Sequence, residues 1–286
     1  MSAAGMTTTE LEDEFGDVIG KARRGLGLEP AEVAQRASLD EATVQSMEDY
    51  ERQPTQAESD RLAAALELHA PSLWDVATEA WRPQAQSATL AGGLQVRMIP
   101  HPPMRVTMYI IGDPATGDAL VVDPGALPET VLATVREAGW RVTAYLITHG
   151  DSDHIDALAA VYAQAPAPVW VHQGARSLVH GVDEANLNIV TGDGPFTAGP
   201  FALEALETPG HAPGHTAYAL RDGVLVGDTV FAGSIGGTRT GNLGYAGHLA
   251  AIRAKLMTRD DDTKFFPGHG PPTTVGEEKL HNPFLA

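Results

Sequence analysis

Cysteine is absent from the 286 residues. Disulfides, thiolate metal ligands and cysteine nucleophiles are therefore excluded, and any metal or acid–base chemistry has to come from other side chains. Basic residues are scarce: 19 Lys and Arg stand against 37 Asp and Glu, a formal net charge of -18. Such a surface repels phosphate backbones and anionic lipid, which argues against nucleic acid or a membrane as the main partner. No stretch approaches the ~18 apolar residues of a membrane span, and the first residues have neither the basic start nor the apolar run of a signal peptide. A cytoplasmic protein is the expectation. What remains is ordinary for a globular chain, with 43% hydrophobic and 20% charged residues. The length suits one large domain and one small one, each with its own core.

Residues 1–9 are small and polar and read as a frayed tail. Residues 10–81 read as all-helical. Val18, Ile19, Ala22 and Leu26 share one helical face, and Pro30 opens a second short helix. Asp40 caps a third, and Glu58–Leu68 and Pro71–Trp81 complete the set. Residues 82–91 form a Pro- and Gln-containing linker. From residue 92 to 286 the texture changes to short apolar strands interleaved with helices, which predicts a layered α/β architecture with the sheets inside.

Chemistry concentrates at strand ends. The stretch Leu146 to Ile155 runs from an apolar strand through a polar turn into a helix, and places His149, Asp151, Asp153 and His154 within six residues. Imidazole and carboxylate are ligands for zinc, iron or manganese, and a strand end followed by a helix start holds them rigidly. Further along, His211 follows Thr208-Pro209-Gly210, Asp228 sits in Gly227-Asp228-Thr229, His269 in Gly268-His269-Gly270, and Asp123 precedes Pro124-Gly125. Each lies beside Gly or Pro at the end of an apolar run, where loops present side chains into a shared cleft.

The order and wording of these motifs over residues 92–286 resemble the metallo-β-lactamase fold superfamily, in its glyoxalase II-like, hydroxyacylglutathione hydrolase-like branch. Gly227 to Gly236, Pro267 to Thr274 and Asn282-Pro283-Phe284-Leu285 carry the likeness furthest. The resemblance implies an αββα sandwich. It assigns His149, Asp151 and His211 to a first metal and Asp153, His154 and His269 to a second, with Asp228 bridging. Asp153 also orients the nucleophile or passes a proton, and Asp123 and His215 brace the ligand loops. Two divalent ions, zinc foremost with manganese or iron as alternatives, are implied. Ions ~3.5–4 Å apart share a hydroxide and lower the pKa of water from about 15.7 to about 7. The implied reaction is hydrolysis of a thioester, ester or lactone in a small-molecule substrate. Of the other histidines, His101, His172 and His180 are candidates to line the cleft, and His69, His248 and His281 read as surface or packing residues.

Three departures bear on that reading. Asp151 stands where the family pattern has a histidine, and oxygen ligation favours harder ions. Gly236-Gly237-Thr238-Arg239 replaces the usual Gly-Arg-Thr-Asp continuation. The chain ends at Ala286 without the helical domain that binds glutathione in larger glyoxalase II enzymes. Rival readings are a mononuclear iron persulfide dioxygenase using His149, His211 and Asp228, and a sensing regulator. The latter follows from the N-terminal helices, which resemble the Xre/Cro-type helix-turn-helix. In that family the third helix enters the DNA major groove. Here Asp40–Asp49 contains no Lys or Arg, and residues 1–80 hold 6 basic against 17 acidic side chains. A scaffold that covers the hydrolase domain or pairs two copies of the chain is the expected role instead.

Overall fold

The computed structural model describes residues 10–239 and 241–286. Five short helices come first: α1 (Phe15–Gly25), α2 (Pro30–Ala37), α3 (Glu41–Glu48), α4 (Gln56–Ala65) and α5 (Ala70–Ala77). Local chemistry sets their starts. Glu14 and Asp17 form a reciprocal capping box on α1, Glu29 and Glu32 on α2, and Thr55 and Glu58 on α4. The last two helices end earlier than their apolar pattern predicts. Glu67 and Glu79 adopt left-handed backbone conformations (φ 59° and 53°) that stop them.

Two six-stranded sheets follow. The first contains β1 (Gln95–His101), β2 (Val106–Asp113), β3 (Asp118–Val122), β4 (Arg141–Ile147), β5 (Val169–His172) and β6 (Leu187–Val190), in spatial order β1 to β6. Its first three strands are antiparallel and the remainder parallel. The second contains β7 (Gly194–Ala198), β8 (Phe201–Glu207), β9 (Thr216–Leu220) and β10 (Gly223–Gly227). After a two-residue ladder of β11 (Val230–Phe231) and β12 (Ser234–Ile235) come β13 (Lys264–Pro267) and β14 (Thr273–Thr274), giving the order β14-β13-β10-β9-β8-β7. Helices α6 (Pro128–Glu137), α7 (Ser152–Ile155) and α8 (Leu158–Gln164) belong to the first half, and α9 (Gly241–Lys255) and α10 (Val275–His281) to the second.

Alternation along the strands explains the layering. On β3, Ala119 and Val121 join the cluster of Val131, Leu132 and Val161 from α6 and α8, while Leu120 and Val122 face Tyr218, Leu225 and Phe266 of the second sheet. On β10, Leu225 faces the first sheet while Val224 and Val226 point outward. Helices thus cover both outer faces of a sheet pair. Among the described residues, no helix is long and apolar enough to cross a membrane.

The N-terminal helices do not keep a core of their own. Ile19, Val44, Leu62 and Leu73 belong to one apolar cluster with Val224 and Val226 of β10, Ile252 of α9 and Phe284. Contact is close. A Cβ on Gly25 would lie 2.4 Å from the Tyr245 ring, so the backbone of α1 rests directly on that side chain of α9. The C-terminal segment locks the same junction: Pro283 O accepts from His69 N at 2.8 Å, and Asn282 Nδ2 donates to Ser234 O at 2.8 Å.

Glu278 of α10 sits wholly buried at this junction. Its carboxylate accepts from Thr273 Oγ1 and Asn282 Nδ2, both at 2.7 Å, and from Gly233 N at 3.1 Å. Burial nevertheless pushes its pKa from 4.5 up to about 7. The folded value exceeds the unfolded one, so the stability it contributes is complete below about pH 4.5 and is lost as pH rises through about 7. The loss is on the order of 3 kcal/mol. Glu278→Gln keeps the shape and is expected to remove this slope. Its thermal midpoint should match the parent near pH 5 and exceed it at pH 8, and parallel pH profiles would count against the argument.

Candidate metal centre

The His and Asp motifs read from the strand ends meet at one edge of the sheet pair. His149 follows β4, and Asp153 and His154 lie on the single turn of α7. His211 occupies the loop between β8 and β9, Asp228 follows β10, and His269 follows β13. The buried Asp228 carboxylate lies at the middle. Its oxygens are 3.3 Å from His154 Nε2, 3.4 Å from His269 Nε2, 3.5 Å from His211 Nε2 and 4.0 Å from His149 Nε2. Donor atoms of His149, His211 and Asp228 lie within 4.8 Å of one another, as do those of Asp153, His154 and His269. Asp153 Oδ2 is 3.3 Å from His269 Nε2.

The histidines are oriented from behind. His149 Nδ1 pairs with Thr148 Oγ1 at 2.9 Å, and His154 Nδ1 donates to Asp123 Oδ2 at 3.0 Å. His211 Nδ1 donates to Gly237 O at 2.8 Å, and His269 Nδ1 to Arg105 O at 3.0 Å. Fixing Nδ1 turns each Nε2 toward the centre, the arrangement that metal-ligating histidines use. Asp123 also forms a close trio with His149 and His154. Its oxygens, however, accept from Thr148 N (2.8 Å), Thr148 Oγ1 (2.7 Å) and His154, so it braces the loop. His215 supports Asp228, accepting its backbone N–H on Nε2 at 3.0 Å while Nδ1 faces Thr208 Oγ1 at 2.8 Å. Burial, reinforced by His149 and His211, pushes the His215 pKa well down and keeps the ring neutral for that role.

The donor set fits divalent cations. The Nε2 atoms of His149, His154 and His211 and Oδ1 of Asp228 are buried with no hydrogen-bond partner, a costly condition that a shared cation would relieve. Burial opposes ionisation of Asp228, but the neighbouring His154 and His269 imidazoles hold its carboxyl well below the usual range. Packing leaves little slack. A Cβ on Gly268 would fall 2.3 Å from Asp228 Oδ1 and 2.6 Å from the His154 ring.

Asp151 is placed differently from the other candidates. It stands at the rim with Oδ2 3.5 Å from His149 Nε2 and 3.4 Å from His211 Nε2, while both its oxygens are taken by Arg239. Burial opposes its ionisation, but the nearby His149 and His211 imidazoles and the bonds from Arg239 hold its carboxyl far below the usual range. Arg239, noted in the sequence only as a departure from the family wording, thus belongs to the site. So does His248, which is wholly buried on α9 and donates from Nδ1 to Pro209 O at 2.9 Å, steadying the turn before His211. The N-terminal segment also reaches the centre. Arg105, whose carbonyl holds His269, donates to Glu12 O at 2.7 Å and pairs with the Glu12 carboxylate at 3.2 Å. His172 pairs with Glu207 at 2.7 Å.

Two adjacent trios of His and Asp donors set around the buried Asp228 carboxylate, at the edge of an αββα sandwich, define a metal-binding centre of the metallo-hydrolase class. The family model of the metallo-beta-lactamase superfamily matches residues 101–269. The chain belongs to that superfamily. It is 34% identical over 206 residues to a probable metallo-hydrolase of Bacillus subtilis, covering 66% of this chain and 96% of the relative. It is 28% identical over 209 residues to a hydroxyacylglutathione hydrolase of Haemophilus influenzae, covering 67% and 98%. Among solved structures, the BLEG-1 B3 metallo-beta-lactamase superposes with a TM-score of 0.60 at 29% identity, covering 67% of this chain and all of that one. ETHE1 from Myxococcus xanthus gives 0.58 at 30% identity, covering 67% and 84%. The helices α1 to α5 lie outside the family match.

Proposed function

We propose that this chain is a metal-dependent hydrolase of thioesters, esters or lactones, with two divalent cations, zinc foremost, held by His149, Asp151, Asp153, His154, His211, Asp228 and His269. The observation that carries the reading is the pair of donor trios joined by Asp228, with three imidazole Nε2 atoms buried and unpartnered around it. The likeness to a hydroxyacylglutathione hydrolase supports the thioester class. When bound, such cations supply a nucleophile from water at neutral pH and polarise the substrate carbonyl. The chain's own residues do the rest. Asp228 and the four imidazoles fix the reacting partners in one frame. Asp153 is half-buried and held ionised, against the cost of burial, by its bond from His269. As an ionised acceptor it can orient the attacking water and help pass its proton on to the leaving thiolate. Arg105 and Glu12 back the His269 side, which gives the segment leading into α1 a place beside the site. The exposed surface of α3, without Lys or Arg, supports that role over DNA binding.

A second reading, an iron-dependent persulfide dioxygenase, draws on the likeness to ETHE1 and on the engagement of Asp151 by Arg239. One comparison separates them. Zinc-, manganese- and iron-loaded protein would be assayed for thiol release from S-acyl thioesters and for oxygen uptake with a persulfide. The hydrolase reading expects thiol release in the zinc or manganese form without oxygen uptake. Oxygen uptake confined to the iron form, with no thiol release from any form, would replace it.

A further inference from the structure

Two departures from the superfamily's usual wording are partners in space. Asp151 and Arg239 lie 88 residues apart in sequence and meet as a two-point pair, in which Nη1 donates to Oδ1 at 2.8 Å and Nη2 donates to Oδ2. The pair is not a packing necessity, because the Arg239 side chain is 53% exposed. Its position is what matters: the same Asp151 Oδ2 faces the Nε2 atoms of His149 and His211.

We propose that the Asp151–Arg239 pair makes the two metal positions unequal, so that the His149–His211–Asp228 position binds its cation more weakly than the Asp153–His154–His269–Asp228 position, and that Arg239 sets the difference. Putting a carboxylate where a neutral imidazole is expected adds one negative charge, and the guanidinium cancels it. The pair therefore presents about the charge of the missing histidine without its free lone pair. A carboxylate gripped by a two-point guanidinium has its best acceptor directions occupied. To ligate a cation it must share them, and that cation then stands close to a second positive charge in a partly desolvated site. The first position is left with two imidazoles and one Asp228 oxygen as free donors. The second has Asp153, His154 and His269 together with Asp228, whose Oδ1 faces His154 and whose Oδ2 faces His269, and among the described residues it has no comparable cation pinned to a ligand. Partners that orient a ligand commonly change metal affinity by about 10- to 100-fold, which sets the scale expected here.

The inference rests on the metal-centre reading, and one titration separates their failures. Metal-stripped full-length protein is titrated with zinc against a chromophoric chelator, with ions per chain counted by mass spectrometry. The expected result is two steps separated by at least about tenfold. Arg239→Gln, at an exposed position, is expected to tighten the weaker step about tenfold or more while leaving the tighter one in place. Asp151→Asn, which removes the carboxylate and leaves the arginine, should weaken the weaker step further. Two equal steps in the parent, or a weaker step that Arg239→Gln does not move, would overturn the inference while leaving the metal centre intact. No zinc bound at all would overturn both.

Discussion

Asp228→Asn is expected to strip metal from both positions and to lower turnover by at least about 1000-fold, equivalent to about 4 kcal/mol of transition-state stabilisation. Among the described residues its carboxylate is the one group within reach of all four inward-facing imidazoles, at 3.3 to 4.0 Å. The change is nearly isosteric. Its backbone N–H bond to His215 survives, so the fold should remain. The amide, however, removes one charge and offers only one acceptor oxygen to a site that needs two. Metal content per chain, measured beside circular dichroism, checks the prediction. A folded variant that keeps its full complement of metal would show that Asp228 does not join the two positions.

A chain beginning at residue 82 is expected to lose cooperative folding. The apolar cluster on the outer face of the second sheet contains 30 buried residues, of which 17 come from residues 15–76. Removing them uncovers the rest of the cluster where α1 packs on α9 and α5 on α10, the Tyr245 ring first. Each large side chain loses about 1.5–3 kcal/mol of burial, so a few suffice to consume the ~5–15 kcal/mol that holds a domain folded. The site loses Glu12 at the same time, and with it the support of Arg105 behind His269. Differential scanning calorimetry should show no sharp transition, or one lowered by more than about 10 °C. A cooperative transition within a few degrees of the full chain would mean that the helices are an independent appendage.

Those two results test parts of the molecule that were unequally legible in the sequence. Strands β3, β4 and β10 are buried on both faces and read as apolar runs, so their ends, and the His and Asp residues placed there, could be located directly. The edge strands β6 and β7 alternate weakly, with Asn188 and Pro195 among their residues, and leave no such trace. The capping boxes mark the N-terminal helices, but nothing in an amphipathic helix says what its apolar face will meet. An expectation of separate cores therefore gave way to a shared one, in which Gly25 on Tyr245 is visible only in three dimensions. The centre shows the same division. His149, His154, His211, Asp228 and His269 announce themselves through Gly- and Pro-flanked turns. Arg239 carries no local signal, because an exposed arginine acquires a role only when the fold brings Asp151 to it. Two oddities in the text of the sequence became one feature of the site.

The central claim is that these side chains form a metal centre organised on Asp228. Anomalous diffraction from crystals of the zinc-saturated chain, collected across the zinc edge, tests it most directly. Two peaks are expected in contact with Asp228, one flanked by His149 and His211 and the other by Asp153, His154 and His269. Well-ordered crystals with no anomalous peak in contact with Asp228 would contradict it.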